Sequence, residues 1–461
     1  MHTPRPTQSS GAITTSVMFI LTERHPHMTN ITRRQALVGA AALLGLAACG
    51  DGSGASTAAG KDTELDLWSY WSKGEAGQKL MQGIIDDFTK QTGIKVNVQW
   101  KGRGATKALV PTLNTDNVPA DVYDGSVSAF TNQLVAGTLP LTDVYQSTVS
   151  GTPKTIDDVV GKSYRTCSAT FDDAGNVQAP LSVPYWGSSD AIFFNGKRFP
   201  ELIDNPPKDW DAFFTILDGL KAKGRRPIAL DGSVTSYNAY FFSYFVYSTV
   251  GPDGLVKAAV DKTGETWKQP GYLEAAKLVE RLAKGKYFID GFNASKFPAM
   301  ENKWANDEAD FILMGSWLPE EVAAVAAPGF DFQSFPFPAA PGHAVPQVKI
   351  QGGSIGIFKK AKHPDAAKQF AAFVLQNKYQ QQVTTTLRSL PVAKDVAPPA
   401  MFTGMKHQID ADQVNNYRYP TSAQGFETKV LYALDDQLVF GKLTAEQFID
   451  QMASQTSAFW K

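Results

Sequence analysis

Ile94, Val96, Val98 and Trp100 alternate with polar residues, the two-residue period of a strand with one face buried. Just before them Leu80, Ile84, Ile85 and Phe88 recur at helical spacing, and Gly93 closes that run. Leu65 to Trp68 reads as a short strand ahead of the helix, and Ala120 to Asp124 as another after it. Strand, helix, strand in this order is the unit of a parallel α/β sheet, because parallel neighbours need a crossover between them. The order then returns. Ala191 to Asn195, Pro227 to Leu230, Asp310 to Met314 and Ile355 to Phe358 are strand-like. Between and after them run helical stripes through Trp210, Phe213, Phe214, Leu217 and Leu220, through Leu273, Ala276, Val279 and Leu282, and through Ala366, Ala367, Phe370, Phe373 and Val374. Thr444 and Gln447 have the spacing of a capping box for a terminal helix. No short-period repeat is visible, so the chain reads as two α/β lobes of similar build.

Length agrees with this, since 461 residues exceed one ordinary core. The 44 basic and 45 acidic residues leave a net charge of −1, which argues against a nucleic-acid partner. Cys49 and Cys167 lie in unlike settings and suggest no disulfide framework. The histidines are scattered, so a zinc site is not expected, nor is any cofactor.

Residues 32–50 carry Arg33 and Arg34, an apolar run from Ala36 to Ala48, and then small residues. This is the layout of an export signal, and the paired arginines resemble a twin-arginine signal. Leu46-Ala47-Ala48-Cys49 resembles a bacterial lipobox, which implies cleavage before Cys49 and lipid on its sulfur. Residues 1–48 are therefore read as signal plus an upstream extension, and 49–63 as lipidated cysteine and flexible tether. The body is expected outside the cytoplasm, anchored to the membrane.

Along the body an ordered set of short segments resembles the extracellular solute-binding proteins of ABC-type sugar importers, the maltose-binding-protein-like family. They are Thr92-Gly93-Ile94-Lys95-Val96-Asn97-Val98, Pro119-Ala120-Asp121-Val122, Val183-Pro184-Tyr185 with Phe194-Asn195-Gly196-Lys197, and Pro206-Pro207-Lys208-Asp209-Trp210. Phe311 to Trp317, Gly352-Gly353-Ser354-Ile355-Gly356, Lys362 to Ala367 and Ser389-Leu390-Pro391-Val392 complete it. The resemblance implies a two-lobed periplasmic-binding-protein fold of type II, with discontinuous lobes joined by a hinge. It places one lobe at 64–184 plus 355–395 and the other at 185–354 plus 396–461. It implies a monomer that closes on a sugar and is met by the permease subunits of a transporter. A binder of another small solute and a sensory lipoprotein share that fold and remain alternatives.

Ligands of open α/β sheets sit beyond the carboxyl ends of strands. Residues after strand ends are therefore the candidates: Trp71, Asp124, Ser126, Tyr185, Trp186, Ser316 and Trp317, with Gly352 and Gly353 at the return crossing and Tyr237 and Tyr240 as a further wall. Tryptophan faces suit the C–H face of a pyranose, a carboxylate accepts from hydroxyls, and glycine admits close backbone approach. Trp68, Trp100, Trp210, Trp267 and Trp304 read as packing residues, Cys167 as an inert buried thiol, and Arg103 and Arg388 as surface charges. Gly352 to Gly356 also matches the GxSxG hydrolase pattern, but that elbow needs a helix straight after the serine. Here a strand continues, so catalysis is not expected.

Overall fold

The computed structural model describes residues 62–172, 176–416 and 418–461. The expected export signal, Cys49 and the tether as far as residue 61 lie outside the described residues.

Strand β1 (Glu64–Ser69) buries Leu65, Leu67 and Ser69 and turns the residues between them outward. Helix α1 (Ala76–Thr92) covers it with Leu80, Ile84 and Phe88, and ends where Gly93 takes a left-handed φ of 76°, a geometry glycine adopts without strain. Strands β2 (Lys95–Trp100) and β3 (Val122–Ser126) lie parallel to β1 on either side. Helix α2 (Val127–Asn132) leaves the end of β3 directly. The chain then reaches β4 (Val183–Ser188), and after Ser189 it enters β5 (Asp190–Asn195) of a different sheet.

The second sheet is built from β5, β6 (Ile228–Ala229), β7 (Phe311–Gly315) and β8 (Phe332–Phe335), in the order β8-β5-β7-β6. The return is made by β9 (Gln351–Ile357), which pairs antiparallel with both β3 and β4. With β10 (Leu390–Pro391) the first sheet has six strands, ordered β10-β4-β9-β3-β1-β2. The two sheets with their helices are the two lobes of a solute-binding-protein fold. The expected boundaries at 184 and 355 fall inside β4 and β9, both of which pair within the first sheet.

Every residue of β5 is buried, as expected of a strand covered on both faces. Ala191 and Phe193 join the core that runs through the first lobe, together with Trp304. Ile192 and Phe194 face a second core with Trp210. Trp210 starts helix α3 (Trp210–Ala222), with Asp209 as N-cap, and its ring lies 4.9 Å from that of Phe245 and 5.1 Å from that of Phe337. Phe245 belongs to helix α4 (Thr235–Thr249), buried from Asn238 to Tyr247. Each such buried aromatic contributes about 1.5–3 kcal/mol. A third passage brings Phe426 to Met452 into the same core, ending in a helix, Ala445–Phe459, whose Thr444 and Gln447 form the expected capping box.

Two packing expectations are met: Trp210, Trp267 and Trp304 are fully buried, and so is Cys167. Ser354 is also fully buried, inside a strand that continues to Ile357. The next helix begins only at Pro364, so no nucleophile elbow is formed.

Candidate functional site

Strand order brings residues far apart in sequence to the same end of neighbouring strands in the first sheet. Ser69 pairs with Asp124 in register, and Gly353 lies beside both Ser126 and Trp186. Asp124 is fully buried. Its two oxygens accept from the Ser69 hydroxyl at 2.7 Å and from the Tyr185 hydroxyl at 2.9 Å. Tyr185 in turn accepts from the Trp71 indole nitrogen at 3.1 Å. Burial pushes the Asp124 carboxyl up to about 7 against the pull of these donors and of Arg103. Asp124 was expected to accept from ligand; here both oxygens serve its neighbours, and its reach toward the cleft runs through Tyr185 and Trp71.

The Trp71 ring stands 6.0 Å from Trp186 and 4.6 Å from Tyr70. Arg103 covers the far side, its guanidinium 4.7 Å from the Tyr70 ring and 4.8 Å from the Trp71 ring. A hydrogen bond of 2.8 Å to the Tyr70 carbonyl and an ion pair of 3.2 Å with Glu75 hold it there. Arg103 is exposed, as expected of a surface charge, and it also lies against the aromatic row. Arg388 is exposed, as expected.

The second lobe answers with Trp317, half-buried just past the end of β7 and heading helix α5 (Leu318–Val322). Asp231, just beyond β6, accepts from the backbone nitrogens of Met300 at 3.1 Å and Glu301 at 3.0 Å, at the start of the helix Ala299–Ala305. Glu301 is fully buried, and neither carboxyl oxygen has a partner among the described residues. Burial, with the nearby charges of Glu321 and Asp231, raises it to about 8. Tyr237 lies in the same neighbourhood. Burial lifts its hydroxyl to about 12, Glu301 and Glu321 add to this, and the Trp317 indole opposes it. Glu321 is exposed, yet the protein around it raises its carboxyl, while Arg103 of the first lobe holds it down. Arg103 and Glu321 are therefore near enough for their charges to interact between the lobes.

Three tryptophans of this site each lie against a glycine. A Cβ placed on Gly77 would come within 2.1 Å of the Trp71 ring, one on Gly315 within 2.1 Å of Trp317, and one on Gly353 within 2.0 Å of Trp186. Gly352 and Gly353 were expected to admit backbone to a ligand. They sit instead within β9, where Gly353 seats Trp186 and Gly352, at φ 140°, abuts the Trp186 carbonyl. Ser126 caps α2 by accepting from Ala129 at 3.2 Å. The Ser316 hydroxyl is buried without a partner among the described residues. Tyr240 is buried beside Tyr237, with the Gln351 side chain at its hydroxyl. Asp231, Glu301 and Glu321 escaped the sequence reading. Nothing in their local pattern separates them from ordinary packing and surface residues.

Residues 70–381 match the description of a bacterial extracellular solute-binding protein, and the chain belongs to that family. A "probable sugar-binding periplasmic protein" of Mesorhizobium japonicum is 27% identical over 54% of this chain and 59% of its own length. The diacetylchitobiose binding protein NgcE of Streptomyces coelicolor is 22% identical over 45% of each chain. The chain thus spans about half the length of these curated relatives, whereas it covers 96% of a similar Rhizobium meliloti protein at 22% identity. Among solved structures, the sugar-binding protein MalE from Xanthomonas citri superposes with a TM-score of 0.67 at 17% identity, covering 86% of this chain and 97% of that one. RafE in complex with raffinose gives 0.63 at 16%, covering 86% and 100%.

Proposed function

We propose that this protein captures a sugar between its lobes, without converting it, and presents it to the permease of an ABC importer. The observation that carries this is the aromatic row of Tyr70, Trp71 and Trp186, capped by Arg103, whose charge reaches Glu321 of the other lobe, in the neighbourhood of Tyr237 and Trp317. Ring faces take the C–H face of a pyranose, and the carboxylates accept from its hydroxyls. Glu301, buried and unpartnered among the described residues, keeps its proton up to about pH 8 and so can both donate and accept, and an unpaired buried polar group costs free energy until something pairs it. A ligand touching both walls stabilises the closed state, which is what a transporter reads. Relatives named for sugar and diacetylchitobiose binding support the ligand class. The residue division into lobes and the ligand set Trp71, Trp186, Tyr237 and Trp317 belong to the same proposal.

Titrating the purified protein with a panel of sugars by calorimetry, followed by mass analysis of the recovered ligand, tests this. Reversible binding with unchanged ligand is expected. Turnover of the ligand, or silence toward sugars with binding of peptides or polyamines, overturns it.

We further propose lipid attachment at Cys49 after export through the Arg33-Arg34 signal. Cys49→Ser should release the protein from membranes and abolish fatty-acid labelling; unchanged labelling refutes the anchor.

A further inference from the structure

The second-lobe side of the candidate site gathers carboxyls without a cation of its own. Glu301 lies on the helix Ala299–Ala305 and Glu321 on α5, and these two helices pack against each other. Asp231 joins them by accepting from the Glu301 backbone nitrogen at 3.0 Å. The charges that act on Glu301 are those of Glu321 and Asp231, both of its own sign. Among the described residues the one cation acting on Glu321 is Arg103 of the first lobe, which is already paired with Glu75 at 3.2 Å. Like charges without a counter-ion disfavour ionisation, and burial adds to this, so Glu301 holds its proton up to about 8.

The unpaired atoms here are acceptors. Both carboxyl oxygens of Glu301 are buried without a partner among the described residues. So is the side-chain oxygen of Asn238, whose nitrogen donates at 3.0 Å to the carbonyl of Gly232, next to Asp231. Two half-buried rings stand at the same place, with the Trp317 indole at the Tyr237 hydroxyl. A sugar hydroxyl can donate to one of these oxygens but brings no charge. A protonated amine brings three donors and no acceptor, and its charge is attracted to carboxylates and to aromatic faces alike.

Resting on the sugar-binding reading above, we propose that the captured sugar carries a free amine, seated as an ammonium between Glu321 and the rings of Tyr237 and Trp317, with Glu301 beneath as a second carboxylate. On binding, Glu301 releases its proton to solvent, because a neighbouring cation favours the charged carboxylate.

The test is calorimetry on the full protein at neutral pH with glucosamine and galactosamine, their N-acetyl forms, and glucose and galactose. An amine should bind roughly tenfold or more tighter than its acetylated and hydroxyl counterparts. Titrations in buffers of different ionisation enthalpy should show proton release with the amine and none with the N-acetyl sugar. Glu321→Gln, at an exposed position, should melt as the parent does and lose most of the amine's advantage. Glu301→Gln should abolish the proton release. A neutral sugar that binds as tightly as its amine overturns the proposal and leaves the sugar reading standing. An amine preference that survives in both variants overturns it as well. If none of these sugars binds, charged or neutral, the sugar reading itself has failed, and this inference falls with it.

Discussion

The Tyr185 hydroxyl donates to the buried Asp124 carboxyl at 2.9 Å while accepting from the Trp71 indole at 3.1 Å. One phenol thus ties a ring of the candidate site to the centre of the first sheet. The charge partner of the relay is 61 residues away from Tyr185 in sequence, and the ring 114. Only the adjacency of β3 and β4 to the return strand β9 brings them within reach.

Tyr185→Phe removes the link and leaves a buried acceptor and a buried donor unpaired. Loss of about 1–3 kcal/mol of stability is expected, together with weaker ligand binding as Trp71 loses its anchor. Denaturant unfolding paired with calorimetry reads both. A variant as stable and as tight as the parent would show that the relay positions nothing.

Glu301 titrates near 8 in the folded chain against 4.5 for a free glutamate, burial being the main cause. A carboxyl whose folded value is raised holds its proton more tightly when folded. Its contribution to stability is then complete below the unfolded value and is lost as pH rises through the folded one. Asp124 acts in the same direction between 3.8 and about 7. Melting temperature should therefore fall on this account from about pH 5 to about pH 8, and Glu301→Gln should flatten the decline. Parallel curves for parent and variant would remove Glu301 from the explanation.

Gly353→Ala puts a methyl group where the Trp186 ring lies, 2.0 Å from its nitrogen. The ring has to move, at about 1–3 kcal/mol for an overpacked site, and ligand affinity should drop. Gly83→Ala is the matched control. It sits exposed within α1 with nothing within 4 Å of its would-be Cβ, and alanine there should stabilise by up to about 1 kcal/mol. Tryptophan fluorescence and melting curves separate the two. A Gly353→Ala protein with unshifted emission and full affinity contradicts the seat.

Trp317→Ala should weaken sugar binding roughly tenfold or more, about 1.4 kcal/mol, with the fold retained, because the ring is half-buried just beyond a strand end rather than within a core. A collapsed circular-dichroism spectrum would mean that Trp317 is a packing residue.

Much of the architecture is local in origin. Leu65 and Leu67, Ile94 to Trp100 and the Trp210 to Leu220 stripe announce their elements because period-2 and period-3.6 burial is written in neighbouring residues. The Thr444–Gln447 cap is equally local. Gly352 and Gly353 were harder. A glycine pair reads the same whether it makes room for a ligand, a turn or a ring, and only the pairing of β9 with β4 shows that Trp186 fills the space. Glu301 was illegible, since a glutamate on a short helix is ordinarily solvated.

By itself the sequence determined the α/β alternation, the strand ends from which a site would be built, and the family they imply, because each depends on residues close together in the chain. The tertiary structure alone decided which side chains meet. Arg103 stacks on Trp71 and its charge acts on Glu321, Asp124 turns inward to Tyr185, and Glu301 is left without a partner among the described residues. The physical reason is that electrostatic and ring contacts act through space over a few ångströms, and what lies that near is set by strand order in two separate sheets rather than by position along the chain.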